Sequence, residues 1–204
     1  MHISDGVLPT SVAVGSYAVS FALCAWSVRK TRGEELPKVA VVTSSFFVAS
    51  LVHVPLGPTS VHLLIPGLVG ILLGNSAFVS IALGLLLQSL LFQFGGITAW
   101  GANTLMMGLP ALSAGRLFEL IKGRSVFRNV LAGAICGSLG VLLAGIMLAL
   151  LLFTSGEEFL GVAKIALIAH LPVIGIEAAI SAFTVSFLYK VKPELLKTAF
   201  PAAP

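Results

Sequence analysis

The amino-acid sequence predicts an all-helical membrane protein, on three observations. Hydrophobic residues make up 57% of the 204 positions and charged residues 10%, against roughly 45–50% and about 25% in soluble domains. Mean hydropathy is +1.06, which leaves too little polar surface to cover a water-exposed fold. The apolar stretches are long and do not alternate with period two, so they read as helices and not as strands of a membrane barrel. Cys24 and Cys136 both fall inside apolar runs and read as small core residues, neither a disulfide nor a thiolate metal pair. No charged region followed by an apolar stretch and a cleavage site marks a signal peptide at the N-terminus.

Seven hydrophobic segments follow one another, at about 9–28, 38–56, 61–74, 76–93, 102–122, 127–153 and 160–189. A crossing needs roughly 20 residues at 1.5 Å each. The third segment falls short of that and contains Pro66 and Gly67. It is expected to be a short helix shielded by its neighbours, or a re-entrant piece. The seventh is long for one crossing and contains Pro172, where a bend or break is expected. There is no internal repeat, no low-complexity stretch and no second domain, so residues 1–204 read as a single membrane unit.

The basic residues set the expected topology. Arg29, Lys30, Arg32 and Lys38 lie between the first and second segments; Arg116, Lys122, Arg124 and Arg128 surround the fifth-to-sixth connection; Lys190, Lys192 and Lys197 follow the seventh. With seven spans and an external N-terminus all of these are cytoplasmic, as the positive-inside rule requires. Only Lys164 falls outside, near Glu157 and Glu158. Dropping the third segment puts the later clusters on the wrong side. The net charge of +4 is thus explained by a membrane, with no need for nucleic acid. Small residues recur at four-residue spacing in Ala18/Ala22, Gly70/Gly74 and Gly133/Gly137, a spacing that lets helices approach closely in lipid.

The chemistry begins at the first residues, Met1-His2-Ile3-Ser4-Asp5-Gly6. A second-position histidine places three nitrogens in a row: the α-amine, the His2 amide and the His2 imidazole. Closing on one ion they make two fused chelate rings and fill three corners of a square. Square-planar nitrogen coordination suits Ni(II) and Cu(II), and low-spin Co(II) is compatible with it. The fourth corner is open to another histidine. The plain alternative, a frayed terminal residue, is the default on six residues alone; the rest of the chain argues against it.

Three other histidines are available. His62 sits in an outer connection bounded by Pro55, Gly57 and Pro66; His53 closes the second segment; His170 lies in the last one, seven residues before Glu177. For His53 and His170 a structural imidazole bonded to backbone is preferred, while for His62 ligand and structural roles stand level on the residues alone. Ionisable groups within spans are functional candidates, because leaving them unpaired in lipid is costly. Phe94 to Asn103 forms a Gly-rich outer connection in which Gly95 and Gly96 suit a backbone that dips close to something, and Asn103 can orient a ligand by hydrogen bonds. The chain has no G-x-x-x-x-G-K-[ST], H-E-x-x-H or G-x-S-x-G, so ATP hydrolysis, metalloprotease and serine-hydrolase chemistry lack support.

Met1 to Pro9, Thr59-Ser60-Val61-His62-Leu63-Leu64 with Gly67 and Gly74, and Gln88 to Asn103 together resemble the membrane-embedded substrate-binding subunit of cobalt/nickel energy-coupling-factor transporters, the CbiM/NikM type. His170-Leu171-Pro172 with Glu177 resembles the last block of that family. The resemblance covers nearly the whole chain; Val61 stands where a smaller residue is common, and the chain ends soon after the last span. It implies a metal held by the Met1 amine, the His2 amide and imidazole nitrogens and the His62 imidazole; Ser60 and Asn103 are expected as outer supports. It implies seven spans with the N-terminus inserted back into the bundle from outside. It also implies a transmembrane coupling subunit, cytoplasmic ATPases and often a small additional membrane subunit, in a prokaryotic cell membrane. The transported ligand is then Ni(II), or Co(II) in a cobalt-specific relative. The competing class is a self-sufficient metal permease or channel.

Overall fold

The computed structural model describes residues 2–51, 53–56, 59–156 and 159–196, without the side chains of 53–56, 59–61 and 160. Seven α-helices occur among them: α1 (Thr10–Lys30), α2 (Leu36–Ala49), α3 (Pro66–Leu73), α4 (Ala77–Phe92), α5 (Trp100–Ile121), α6 (Val126–Phe153) and α7 (Phe159–Val191). A short antiparallel hairpin, β1 (His53–Leu56) and β2 (Thr59–His62), joins α2 to α3. Five stretches are long and apolar enough to cross a membrane: α1, α3 with α4 taken together, α5, α6 and α7. This is a multi-pass membrane protein. At 14 residues, α2 is about 21 Å long, short of the roughly 30 Å hydrocarbon layer.

The expected segments correspond to helices one for one, with one correction and one refinement. The second, read as apolar to residue 56, stops as a helix at Ala49; residues 53–56 turn into β1. Pro55 cannot continue a helix, whereas a two-stranded edge accommodates it. The seventh was expected to bend or break at Pro172; it does not break, and α7 runs through Pro172 to Val191. Neighbouring helices in a membrane bundle re-satisfy the carbonyl that a proline leaves over.

The third segment is the short shielded helix. All of α3 except Leu72 is buried, and its glycines explain why. A Cβ on Gly67 would lie 2.3 Å from the Cys136 carbonyl oxygen, and one on Gly70 would lie 1.9 Å from that of Ala111. α3 therefore wedges between α5 and α6 at backbone contact. Gly74 ends it with φ 55°, a conformation glycine adopts without strain, so Gly74 is the stop of α3. Gly133 and Gly137 form a packing pair: built Cβ atoms there would meet Val185 and Ser181 of α7. Ala18 and Ala22, by contrast, are exposed; α1 buries the serines Ser16, Ser20 and Ser27 instead. Ser20 donates to the Gly101 carbonyl and Ser27 to that of Asn75, each at 2.7 Å.

Hydrogen bonds tie the connections into two ends. At one, Thr31 donates to Ser76 at 2.9 Å, Lys38 to the Leu195 carbonyl at 2.7 Å and Tyr189 to the Arg124 carbonyl at 2.6 Å. These join the α1–α2, α3–α4, α5–α6 and post-α7 connections, and the basic clusters with them. At the other end lie the N-terminal residues, the hairpin and the α4–α5 connection.

Candidate metal-binding site

The first residues run inward beneath the α4–α5 connection. Ile3 is 1% exposed. Its N–H donates to Asn103 Oδ1 at 2.8 Å and its carbonyl accepts from Asn103 Nδ2 at 3.0 Å. Asn103 stands on the first turn of α5, fully buried. One carboxamide thus completes a main-chain donor and acceptor that would otherwise be buried unsatisfied. Two residues on, Asp5 Oδ1 accepts from the Thr98 N–H at 2.8 Å and the Thr98 hydroxyl at 2.6 Å. Tyr17 donates to the Ile97 carbonyl. The 93–99 connection is therefore sewn to the N-terminal segment from both sides.

Gly95 and Gly96, with φ 78° and 71°, make the close approach possible. A Cβ on Gly95 would stand 2.7 Å from Asn103 Nδ2 and 3.2 Å from His2 Cβ and Nδ1; one on Gly96 would sit inside the Asp5 carboxylate. The expectation of a backbone dipping close to something is met, and the something is His2.

His2 is buried and stacks on the buried imidazole of His62, with ring centroids 4.7 Å apart and 21° between planes. Phe94 covers the His2 ring at 6.2 Å. His62 is the last residue of β2, in the connection outside the membrane-spanning helices. Its Nδ1 lies 2.9 Å from the Leu63 carbonyl. A proton on Nδ1 suits that contact and makes Nε2 the lone-pair nitrogen, as in most metal-binding histidines. Burial pushes the His62 imidazole well below its ordinary value, and His2 beside it adds to the shift. It is therefore neutral, the form that binds a metal.

Just past His62 the chain makes an abrupt entry into α3. Ile65 has φ 41° and ψ 28°, the left-handed region, which costs a β-branched residue on the order of 1–3 kcal/mol. Glu177, fully buried on α7, accepts from the Leu64 N–H and from the Ile65 N–H at 2.8 Å through Oε1.

Of the remaining candidates, His53 and His170 lie near His62. Met1 is outside the described residues. Ser60 pairs with Pro55 in the hairpin register, and its side chain is not among those described. His53 is the cross-strand partner of His62. His170 Nδ1 contacts the Ala166 carbonyl at 2.6 Å, while its buried Nε2 has no hydrogen-bond partner among the described residues. Cys24 and Cys136 are free thiols. The Asn103 grip on Ile3, the Asp5–Thr98 bond and the Glu177 contacts carry no sequence-local signature; only the presence of an ionisable group in a span flagged Glu177.

A family model described as the cobalt uptake substrate-specific transmembrane region, CbiM, matches residues 2–195. The chain belongs to the CbiM family. A putative metal transport protein of Haemophilus influenzae is 34% identical over 199 residues, covering 96% of this chain and 97% of its own length. A putative fused nickel transport protein, NikMN, of Archaeoglobus fulgidus is 32% identical, covering 97% of this chain and 68% of its own. The cobalt transport protein CbiM of Sorangium cellulosum is 30% identical over 212 residues. A crystal structure of a transition metal transporter superposes with a TM-score of 0.76 at 27% identity, covering 94% of this chain and 93% of that one. The CbiM family is one of metal-transport components, and the fold is a transporter fold.

Proposed function

We propose that this chain captures Ni(II) at the outer face of a prokaryotic cell membrane and presents it for ATP-driven import. The observation that carries the proposal is the buried contact of His2 with His62 under the Asn103 clasp. The donors are the Met1 α-amine, the His2 amide and imidazole, and His62 Nε2, with Asn103 and Ser60 as outer supports. Four nitrogens in a plane favour nickel. Cobalt is the second choice, on the observation that relatives named for either metal match at about equal identity, 32% and 30%. Cu(II) binds such donors more tightly still, so selectivity rests on geometry and availability.

In this reading the chain crosses the membrane seven times, the short α3 and α2 included, with the basic end in the cytoplasm and the N-terminus outside. Energy comes from partners: a transmembrane coupling subunit, cytoplasmic ATPases and a small additional membrane subunit. The absence of a P-loop in the sequence supports that division of labour.

The deciding experiment measures metal content and visible absorption of the purified protein. A yellow, diamagnetic nickel complex is expected. His2→Ala abolishes it, and His62→Ala weakens binding and shifts the absorption band as water takes the fourth corner. An uncleaved extension of a few residues before Met1 abolishes binding in a protein that still folds. Normal nickel affinity in the extended protein would rule out the amine donor. Metal uptake by this chain alone, without ATP, would instead favour a self-sufficient permease.

A further inference from the structure

Glu177 is the one acidic side chain buried among the described residues, and the metal ligands proposed above do not include it. Its Oε1 takes the N–H groups of both Leu64 and Ile65, while Oε2 has no hydrogen-bond partner among the described residues. Leu64 is two residues from His62. The backbone between them belongs to no helix or strand, so nothing regular fixes where the hairpin ends relative to α3.

The elements on either side are rigid. A Cβ on Gly140 would stand 2.5 Å from the Gly67 nitrogen, and one on Gly137 would stand 2.7 Å from the Glu177 carbonyl oxygen. α3, α6 and α7 thus meet at backbone contact, with Glu177 at the junction. Its carboxylate also faces the N-terminal turn of α3, where unsatisfied N–H groups and the helix dipole favour a negative acceptor. The left-handed Ile65 persists there because the two N–H groups it brings together share one buried oxygen.

We propose that Glu177 is a positioning residue of the metal site. By holding Leu64 and Ile65 against α7, it fixes the short segment that presents His62 to the N-terminal chelate. This rests on the ligand assignment for His62 made above. Partners that orient a ligand from outside the coordination sphere typically govern metal affinity by about 10–100-fold. Glu177 acts one step further out, through the main chain.

The test is a double-variant cycle on the purified full chain, titrated with Ni(II) and followed by its visible spectrum. Glu177→Leu keeps the volume and removes both acceptors. It is expected to weaken binding about 10–100-fold and to shift the absorption band to that of His62→Ala. Because the two act in series, the double variant binds no more weakly than His62→Ala alone. Glu177→Gln retains Oε1 as an acceptor and recovers at least about tenfold of the affinity lost in the Leu variant. If the Leu variant does not fold, Glu177→Asp replaces it. The shorter acid keeps the charge but cannot reach both N–H groups, so it must also show the His62→Ala spectrum. Additive losses in the double variant, or a Gln variant as weak as the Leu variant, would overturn the proposal, as would an Asp variant with unchanged spectrum and affinity. If His62→Ala itself bound nickel normally, the ligand assignment would fall, and this inference with it.

Discussion

Asn103 grips Ile3 through both ends of its carboxamide, although 100 residues separate the two in sequence. The grip orients the residue immediately after His2, so it acts on the chelate through one peptide unit. Asn103→Ala leaves a buried N–H and a buried carbonyl without partners. It is expected to weaken nickel binding about 10–100-fold in a protein that still elutes as a folded species. Asn103→Asp, which keeps the acceptor and loses the donor, falls between. Calorimetric titration in detergent reads both, and an Asn103→Ala protein with unchanged affinity would detach the clasp from the site.

Gly95→Ala tests the roof of the same pocket. The added methyl meets Asn103 and His2 at 2.7 and 3.2 Å, on a backbone with φ 78°. His2 has to move, so metal affinity falls by more than it does in Gly15→Ala, where a Cβ meets nothing within 4 Å. Equal affinities in the two variants would show that the connection gives way without disturbing the imidazole.

Acid acts on the pocket in two separable ways. His62 titrates lower in the folded protein than its ordinary value, so the unfolded chain binds the extra proton first. The stability this contributes is complete above about pH 6.5 and is lost as the pH falls toward the depressed folded value. The thermal midpoint of metal-free protein therefore drops below about pH 6.5, and His62→Ala flattens the drop. Metal affinity has its own dependence. An α-amine with a reference pKa of about 8 and an amide proton must both be released. Apparent affinity is expected to fall faster than one decade per pH unit in mild acid. A flat affinity profile would exclude the amine–amide–imidazole chelate.

The wedge of α3 makes a prediction about stability alone. Gly70→Ala forces a methyl against the Ala111 carbonyl at 1.9 Å. Overpacking of this kind costs about 1–3 kcal/mol and lowers the unfolding temperature. Gly161→Ala, with open space around it on helix α7, does not lower that temperature. A Gly70→Ala protein as stable as the parent would mean that α3 can shift away from α5.

Much of this architecture was legible because lipid simplifies the problem. Each long apolar run became a helix, and the basic clusters predicted which connections share an end. The run at 38–56 was overread because Val54 and Leu56 are as apolar in a strand as in a helix; only Pro55 and the Gly57-Pro58 pair signalled the change. Gly74, read through its four-residue spacing from Gly70, also terminates α3, with a positive φ that the spacing did not signal. At the site, His2 stood out by its position, whereas His62 was level between two roles on the residues alone and was named through the family resemblance. What brings them together could not be read. The bonds from Asn103 to Ile3, Asp5 to Thr98 and Glu177 to Leu64 and Ile65 join residues distant in sequence, and such pairs leave no periodicity to read.

The clasp on Ile3 also fixes an order of events during synthesis. Its partner is on α5, and chains emerge at about 5–20 residues per second. His2 and Ile3 must therefore wait unseated for several seconds while α1 to α4 are laid down. They can dock only after the 93–99 connection and the start of α5 exist. A segment made before any of the helices is among the last to find its place, and the pocket it completes has no existence in a nascent chain that stops short of Asn103.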